Sequence, residues 1–184
     1  MTSVFLLAAA LTLGSAAHHN PVLVISEVSW LPRPDLTPGA IDPRVTQANI
    51  QRTICRSGYT AKVRPSSSYT SKLKRQQLEQ YGYSGSHPYQ EEDPQPSAFE
   101  EDHLISLEIG GHPTDPRNLW PEPWKYSVAD GGAGSKTVEL GAHAKDRVEN
   151  WLHKQVCTGQ MSLDEAQRGI AHDWTQYLDR SKQH

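Results

Sequence analysis

Asp102 and His103 stand side by side, a pairing suited to acid–base chemistry at a charged centre. A carboxylate is a hard ligand for Mg²⁺ or Mn²⁺, and an imidazole can take a proton from water near neutral pH. Downstream, Asn118 lies beyond a Gly110-Gly111 pair, and His143, Asp146 and Asn150 recur at spacings of 3 and 7. On a helix those spacings share one side, so an acid, a histidine and further polar ligands can converge from two elements. Such a set can hold one divalent ion beside a general base.

The elements that must position these residues are read from apolar periodicity. Leu104, Ile105, Leu107 and Ile109 predict a short strand, Gly110-Gly111 a turn, and Asn118-Leu119-Trp120 a returning strand before Pro121. Residues 112–117 between them form a loop punctuated by Pro113 and Pro116, and residues 120–135 form a second loop. A helix is expected over 136–156, where Val148, Trp151, Leu152 and Val156 make one apolar stripe and Gly159 serves as its stop. Another is expected over 70–80, ended by Gly82 and followed by a surface loop over 84–97. A last helix over 163–178 opens on the capping box Ser162-Leu163-Asp164-Glu165, and the tail 179–184 is expected to fray.

Length and composition bound the rest. A chain of 184 residues is expected to form one domain, and 36% apolar residues, 13 Gly and 13 Pro predict a small core with many loops. The apolar run 4–13, followed by Gly14-Ser15-Ala16-Ala17, fits a secretory leader over 1–17 and is too short for a bilayer span, which needs about 20 residues. An ordinary buried N-terminal helix is the alternative. Residues 18–43, with prolines 21, 32, 34, 38 and 43, read as an extended lead-in with a short strand at 22–25. In an exported chain Cys55 and Cys157 are expected to form one bridge, stabilising by roughly 4–5 kcal/mol, with two buried free thiols as the alternative.

Net charge is only -3, but its distribution is uneven. Residues 44–78 carry eight basic side chains and no acidic one, interleaved with Tyr59 and Tyr69 and followed by Tyr81 and Tyr83; residues 91–108 carry seven acidic side chains and no basic one. The first segment suits phosphate contacts supplemented by ring stacking, and the second suits a cation. A solvated basic face is the plainer reading of the first.

Asp102-His103-Leu104-Ile105, then Gly110-Gly111, then Asn118-Leu119, resembles the HNH endonuclease superfamily with its ββα-metal core. More closely, EDHLISLEIGG, TDPRNLWPEPW and AKDRVENWLHKQVC resemble a group of small exported bacterial HNH-like proteins that share the upstream TICRSGYTAKVRP pattern, over residues 53 to about 174. The fold this implies is α+β: a basic N-terminal segment over 44–98, then a ββα-metal core with a C-terminal packing helix over 99–178. The resemblance implies His103 as general base, Asn118 as the residue bracing the loop, and Asp102 as ligand to one divalent ion, Mg²⁺ or Mn²⁺ with Zn²⁺ as a further candidate. The pattern departs at its third position, where residues 120–135 intervene; His143 is the expected second metal ligand, with Asp146 and His153 as substitutes.

The activity so implied is metal-dependent hydrolysis of nucleic acid, DNA for preference and with little sequence specificity, since no base-reading module is appended. Arg56, Lys62, Arg64, Lys72, Lys74 and Arg75 are the expected backbone contacts. Oligomeric state is left open. The alternative is a non-catalytic exported module on the same scaffold that binds a polyanion or a cell-envelope partner. A Ca²⁺-stabilised binding protein using Glu91, Glu92, Asp93, Glu100 and Glu101 is a third reading, weakened by the absence of EF-hand loop spacing.

Overall fold

The computed structural model describes residues 31–83, 96–124, 126–129 and 137–182. The expected leader, the strand at 22–25, most of the loop 84–97 and the acids Glu91, Glu92 and Asp93 lie outside them. The described part is α+β. In chain order it contains α1 (Tyr59–Val63), α2 (Ser67–Gln80), β1 (Phe99–His103), β2 (Leu119–Pro123), β3 (Tyr126–Ala129), β4 (Thr137–Leu140), α3 (Ala142–Cys157), α4 (Leu163–Asp173) and α5 (Leu178–Ser181). Among the described residues no helix is long and apolar enough to cross a membrane.

Local chemistry accounts for the ends of α2 and α4. Ser66 accepts from the Tyr69 N–H at 3.3 Å, so α2 starts three residues before the periodic stretch suggested, and Gly82 follows its end at a φ of 75°. Ser162 accepts from the Glu165 N–H and opens α4 at the predicted capping box. The single helix expected over 163–178 is broken, because Asp173 accepts from the Thr175 N–H and starts a 3-10 turn, Trp174–Tyr177. Ser181 is buried at the end of α5, so the tail is ordered further than expected.

The hairpin forms in a different place from the one predicted. β1 pairs antiparallel with β2 in the register Phe99↔Pro123 to His103↔Leu119, while Leu104, Ile105, Leu107 and Ile109 belong to the long connection. Two polar side chains stop the ladder after His103. Asn118 engages both backbone groups of Ile105, as a partner strand would, and Ser106 accepts from the Glu108 N–H to open a 3-10 turn, Leu107–Ile109. The four apolar residues are buried all the same. Gly111 is required here, since a Cβ would lie 1.7 Å from the Ile105 carbonyl oxygen.

The loop expected over 120–135 contains the rest of β2 and all of β3, and β3 pairs with β4 in a second antiparallel hairpin. Residues 137–140 are therefore strand, and α3 begins at Ala142 rather than at 136. Its stripe of Val148, Trp151, Leu152 and Val156 packs with Ile170, Trp174, Tyr177 and Leu178 in the main core. Cys55 and Cys157 form the expected disulfide, with Cα atoms 5.5 Å apart.

The described part of the lead-in is docked. Ile41 bridges Gly111, the Asp42 N–H donates to the Gly110 carbonyl at 2.8 Å, and the His112 N–H donates to the Ala40 carbonyl at 2.8 Å. The buried Asp42 carboxylate accepts from the Arg44 backbone N–H at 2.9 Å and from its guanidinium at 2.7 Å. The hydrogen bonds of that guanidinium hold the carboxyl below the usual range. A depressed folded pKa stabilises above the ordinary carboxylate value, and this contribution is lost as pH falls through the folded value. Asp42→Asn is expected to cost about 1–2 kcal/mol at neutral pH, with the gap to wild type closing in acid; urea unfolding at pH 7 and at pH 3 checks both parts.

Candidate active site

Side chains alternate along β1, so Glu100 and Asp102 leave one face and Glu101 and His103 the other. Two cavities meet at His103. One, of about 300 Å³, is lined by Arg64, Ser67, Thr70, Lys74, Glu101 and Trp124 among others. The second, of about 250 Å³, is lined by the five carboxylates of Glu100, Asp102, Glu108, Asp146 and Glu149, with His143, Asn150 and Arg64. The expected polar side of α3, His143, Asp146 and Asn150, thus faces the same cavity as Asp102 and His103.

His103 is 6% exposed and its Nε2 lies 3.0 Å from the Pro113 carbonyl oxygen. A carbonyl only accepts, so Nε2–H donates and the lone pair of the neutral ring is on Nδ1. Burial pushes the imidazole pKa down; the Pro113 bond and Asp102 oppose this, and Lys145 adds to it, leaving the ring below its ordinary value. The result is a neutral, oriented base.

Asn118 holds the loop that carries Pro113. It is fully buried, its Nδ2 donates to the Ile105 and His112 carbonyls at 3.0 and 3.1 Å, and its Oδ1 accepts from the Ile105 N–H at 2.9 Å. Its bond to the His112 carbonyl fixes the segment that leads into Pro113. Asn118→Ala strands buried backbone groups and is expected to lower stability by about 2–3 kcal/mol, checked by denaturant unfolding.

Asp102 is tied to a residue that sequence reasoning passed over. Lys145 is fully buried, and its Nζ donates to Asp102 Oδ2 at 2.6 Å, to the His103 carbonyl at 2.7 Å and to Glu149. Burial would raise the Asp102 pKa, but the charge of Lys145, a hydrogen bond with Glu122 and the hydrogen bond of Lys145 bring it below the usual range. Burial works against the ammonium, and its carboxylate neighbours more than offset this. The signal lay in the helix spacing, since Lys145 precedes Val148, Leu152 and Val156 by 3, 7 and 11 along the apolar stripe.

The surrounding acids are crowded. Burial, then the negative charge of Asp102, pushes Glu100 to about 7 and Glu101 to about 8. Glu122, opposite Glu100 in the hairpin, is fully buried; burial drives it well above the usual carboxylate range, and a hydrogen bond with Asp102 raises it further. Glu149 is raised to about 8, chiefly by burial. Glu108 adds a buried Oε2 without a hydrogen-bond partner at the edge of the second cavity. Hard oxygen donors under mutual repulsion fit a divalent cation of the Mg²⁺ class, which uses one or two carboxylates and keeps several waters. They are not gathered into a closed cage. Among the described residues, the group of three His, Cys, Asp or Glu side chains with ligand atoms within 4.8 Å of one another is Cys55, His153 and Cys157.

His153 is therefore no substitute ligand at this cavity: its Nε2–H donates to the Ile54 carbonyl at 3.0 Å, beside the disulfide. Of the basic residues singled out, Arg64 and Lys74 line the cavities, and Lys74 Nζ also donates to the Phe99 carbonyl at 2.8 Å. Arg56, Lys62, Lys72 and Arg75 are exposed and line neither. Tyr81 is no stacking platform, being buried against Trp120. Trp124 lines both cavities, its ring centre 5.3 Å from that of His143. Compared with family models, curated proteins and solved structures, the chain matches none.

Proposed function

We propose that the protein is a metal-dependent phosphodiesterase acting on nucleic acid, DNA for preference, with His103 as general base on an HNH-like ββα-metal scaffold formed by β1, β2 and α3. The observation that carries the reading is the state of His103: buried, neutral, pinned through Nε2–H to the Pro113 carbonyl, and placed where an acid-lined cavity meets one lined by Arg64 and Lys74.

Nδ1 has the lone pair to accept a proton from the water that attacks phosphorus. Arg64, which lines both cavities, supplies a guanidinium for the substrate phosphate, and Trp124 offers an exposed ring at the same mouth. Asp102 and His143, with Glu100 and Asp146 beside them, would hold the cation, which when bound neutralises charge developing on the phosphate and the leaving oxygen. The cavity itself favours this requirement, because a divalent cation can replace the protons that crowding and burial make these carboxyls retain.

The capture of Asp102 by Lys145 favours one rival, a binding module that keeps the scaffold without cleaving. Supercoiled plasmid incubated with the oxidised protein, with Mg²⁺, Mn²⁺ or chelator, separates the two. Ion-dependent nicking supports the phosphodiesterase, and retention of plasmid without nicking under every condition supports the module.

A further inference from the structure

Away from this cavity, α3 presents His153 and Cys157 four residues apart on one helical face, and Cys55 reaches the same point from the segment before α1. Both sulfurs and a ring nitrogen of His153 lie within 4.8 Å of one another, and all three residues are partly buried. The Nε2–H bond to the Ile54 carbonyl fixes the tautomer, so the ring lone pair is on Nδ1. A backbone carbonyl holding the second nitrogen of a histidine is the usual support for a metal-ligating imidazole.

We propose that Cys55, Cys157 and His153 form a zinc site whenever the Cys55–Cys157 bridge is open. A dithiol or phosphine reductant supplies the two electrons, and two protons are taken up to give two thiols. Zinc binding then releases both thiol protons, the sulfurs and His153 Nδ1 become ligands, and water fills the fourth tetrahedral position. Tetrahedral Zn–S bonds of about 2.3 Å place the sulfurs roughly 3.8 Å apart. Cα atoms 5.5 Å apart accommodate that by side-chain rotation, without moving the backbone. Two thiolates and an imidazole select zinc over the Mg²⁺ class expected at the acid-lined cavity. The site is a second, chemically separate centre, and it exchanges a covalent link for a metal link between the same two segments. A newly made chain is reduced, so where zinc precedes oxidant the ion would hold Cys55 beside Cys157 before they join.

The test uses the full chain, reduced with a phosphine and titrated with Co²⁺ and then Zn²⁺ under anaerobic conditions. Expected are one Co²⁺ per chain with a thiolate-to-cobalt charge-transfer band, its loss on adding one equivalent of Zn²⁺, and a higher melting temperature for the zinc-loaded reduced protein than for the metal-free one. The oxidised protein should show no such band, which sets the site apart from any ion bound by carboxylates. His153→Asn keeps a donor for the Ile54 carbonyl but lacks the imidazole, and should weaken zinc binding about 10- to 100-fold, as should His153→Ala. Reduced wild type without a thiolate band would overturn the proposal, whether or not it is folded. So would either variant binding zinc with wild-type affinity and an unchanged cobalt spectrum.

Discussion

His103→Ala is expected to lose ion-dependent nicking of supercoiled plasmid by about 10²–10⁴-fold, the range over which a positioned general base contributes. The change removes the one ring whose tautomer is fixed by the Pro113 carbonyl and whose neutral form is enforced by burial. The two residues that precede it in β1 are poor substitutes. Asp102 is held anionic but engaged by Lys145, and Glu101 carries its proton up to about 8. Circular dichroism and thermal melting should show a folded but less stable variant, since truncating the buried neutral ring strands no charge and leaves the Pro113 carbonyl unpaired at a cost of about 1–3 kcal/mol. Plasmid retention by the variant should persist, because Arg64 and Lys74 are untouched. Wild-type nicking rates in a folded His103→Ala protein would remove the histidine from the reaction and the phosphodiesterase reading with it.

Lys145→Met should be the most destabilising single change near the site, by about 3–5 kcal/mol, because it leaves a buried carboxylate without its counter-charge. Three acceptors depend on the one ammonium: Asp102, Glu149 and the His103 carbonyl. The penalty has a direction in pH. Asp102 is held below its ordinary value by Lys145, so its stabilising contribution is present above the ordinary carboxylate range and fades on acidification. The difference between wild type and Lys145→Met should therefore shrink as pH falls. Adding Asp102→Asn to Lys145→Met removes the stranded charge, so the double variant should be more stable than the sum of the single effects by about 1–3 kcal/mol. Additive losses in denaturant unfolding would mean that the two residues are not coupled.

What the residues revealed in advance depended on the range of the forces involved. The Ser162 cap and the α3 stripe are local or periodic features, and each appears where expected. The hairpin was misplaced because Leu104 to Ile109 has the apolar character of a strand, whereas Phe-Glu-Glu-Asp-His has little strand propensity. Pairing with β2 overrides propensity there, and the Asn118 side chain ends the ladder from 13 residues away in sequence. Lys145 was missed for a related reason. Lysine is almost never fully buried unless paired, and its partner Asp102 lies 43 positions earlier. The second hairpin, β3 with β4, was hidden by a Pro- and Gly-containing stretch that reads as loop.

The disulfide joins residues 102 positions apart, and every residue assigned to the acid-lined cavity lies inside the ring it closes. A single peptide-bond cut between Cys55 and Cys157 would therefore open the ring without separating the two pieces. A nicked molecule would run as one species under denaturing, non-reducing conditions and as two after reduction. Under proteolysis β1 and α3 would stay covalently connected after a first cut within the ring, and releasing a fragment of it would require a second.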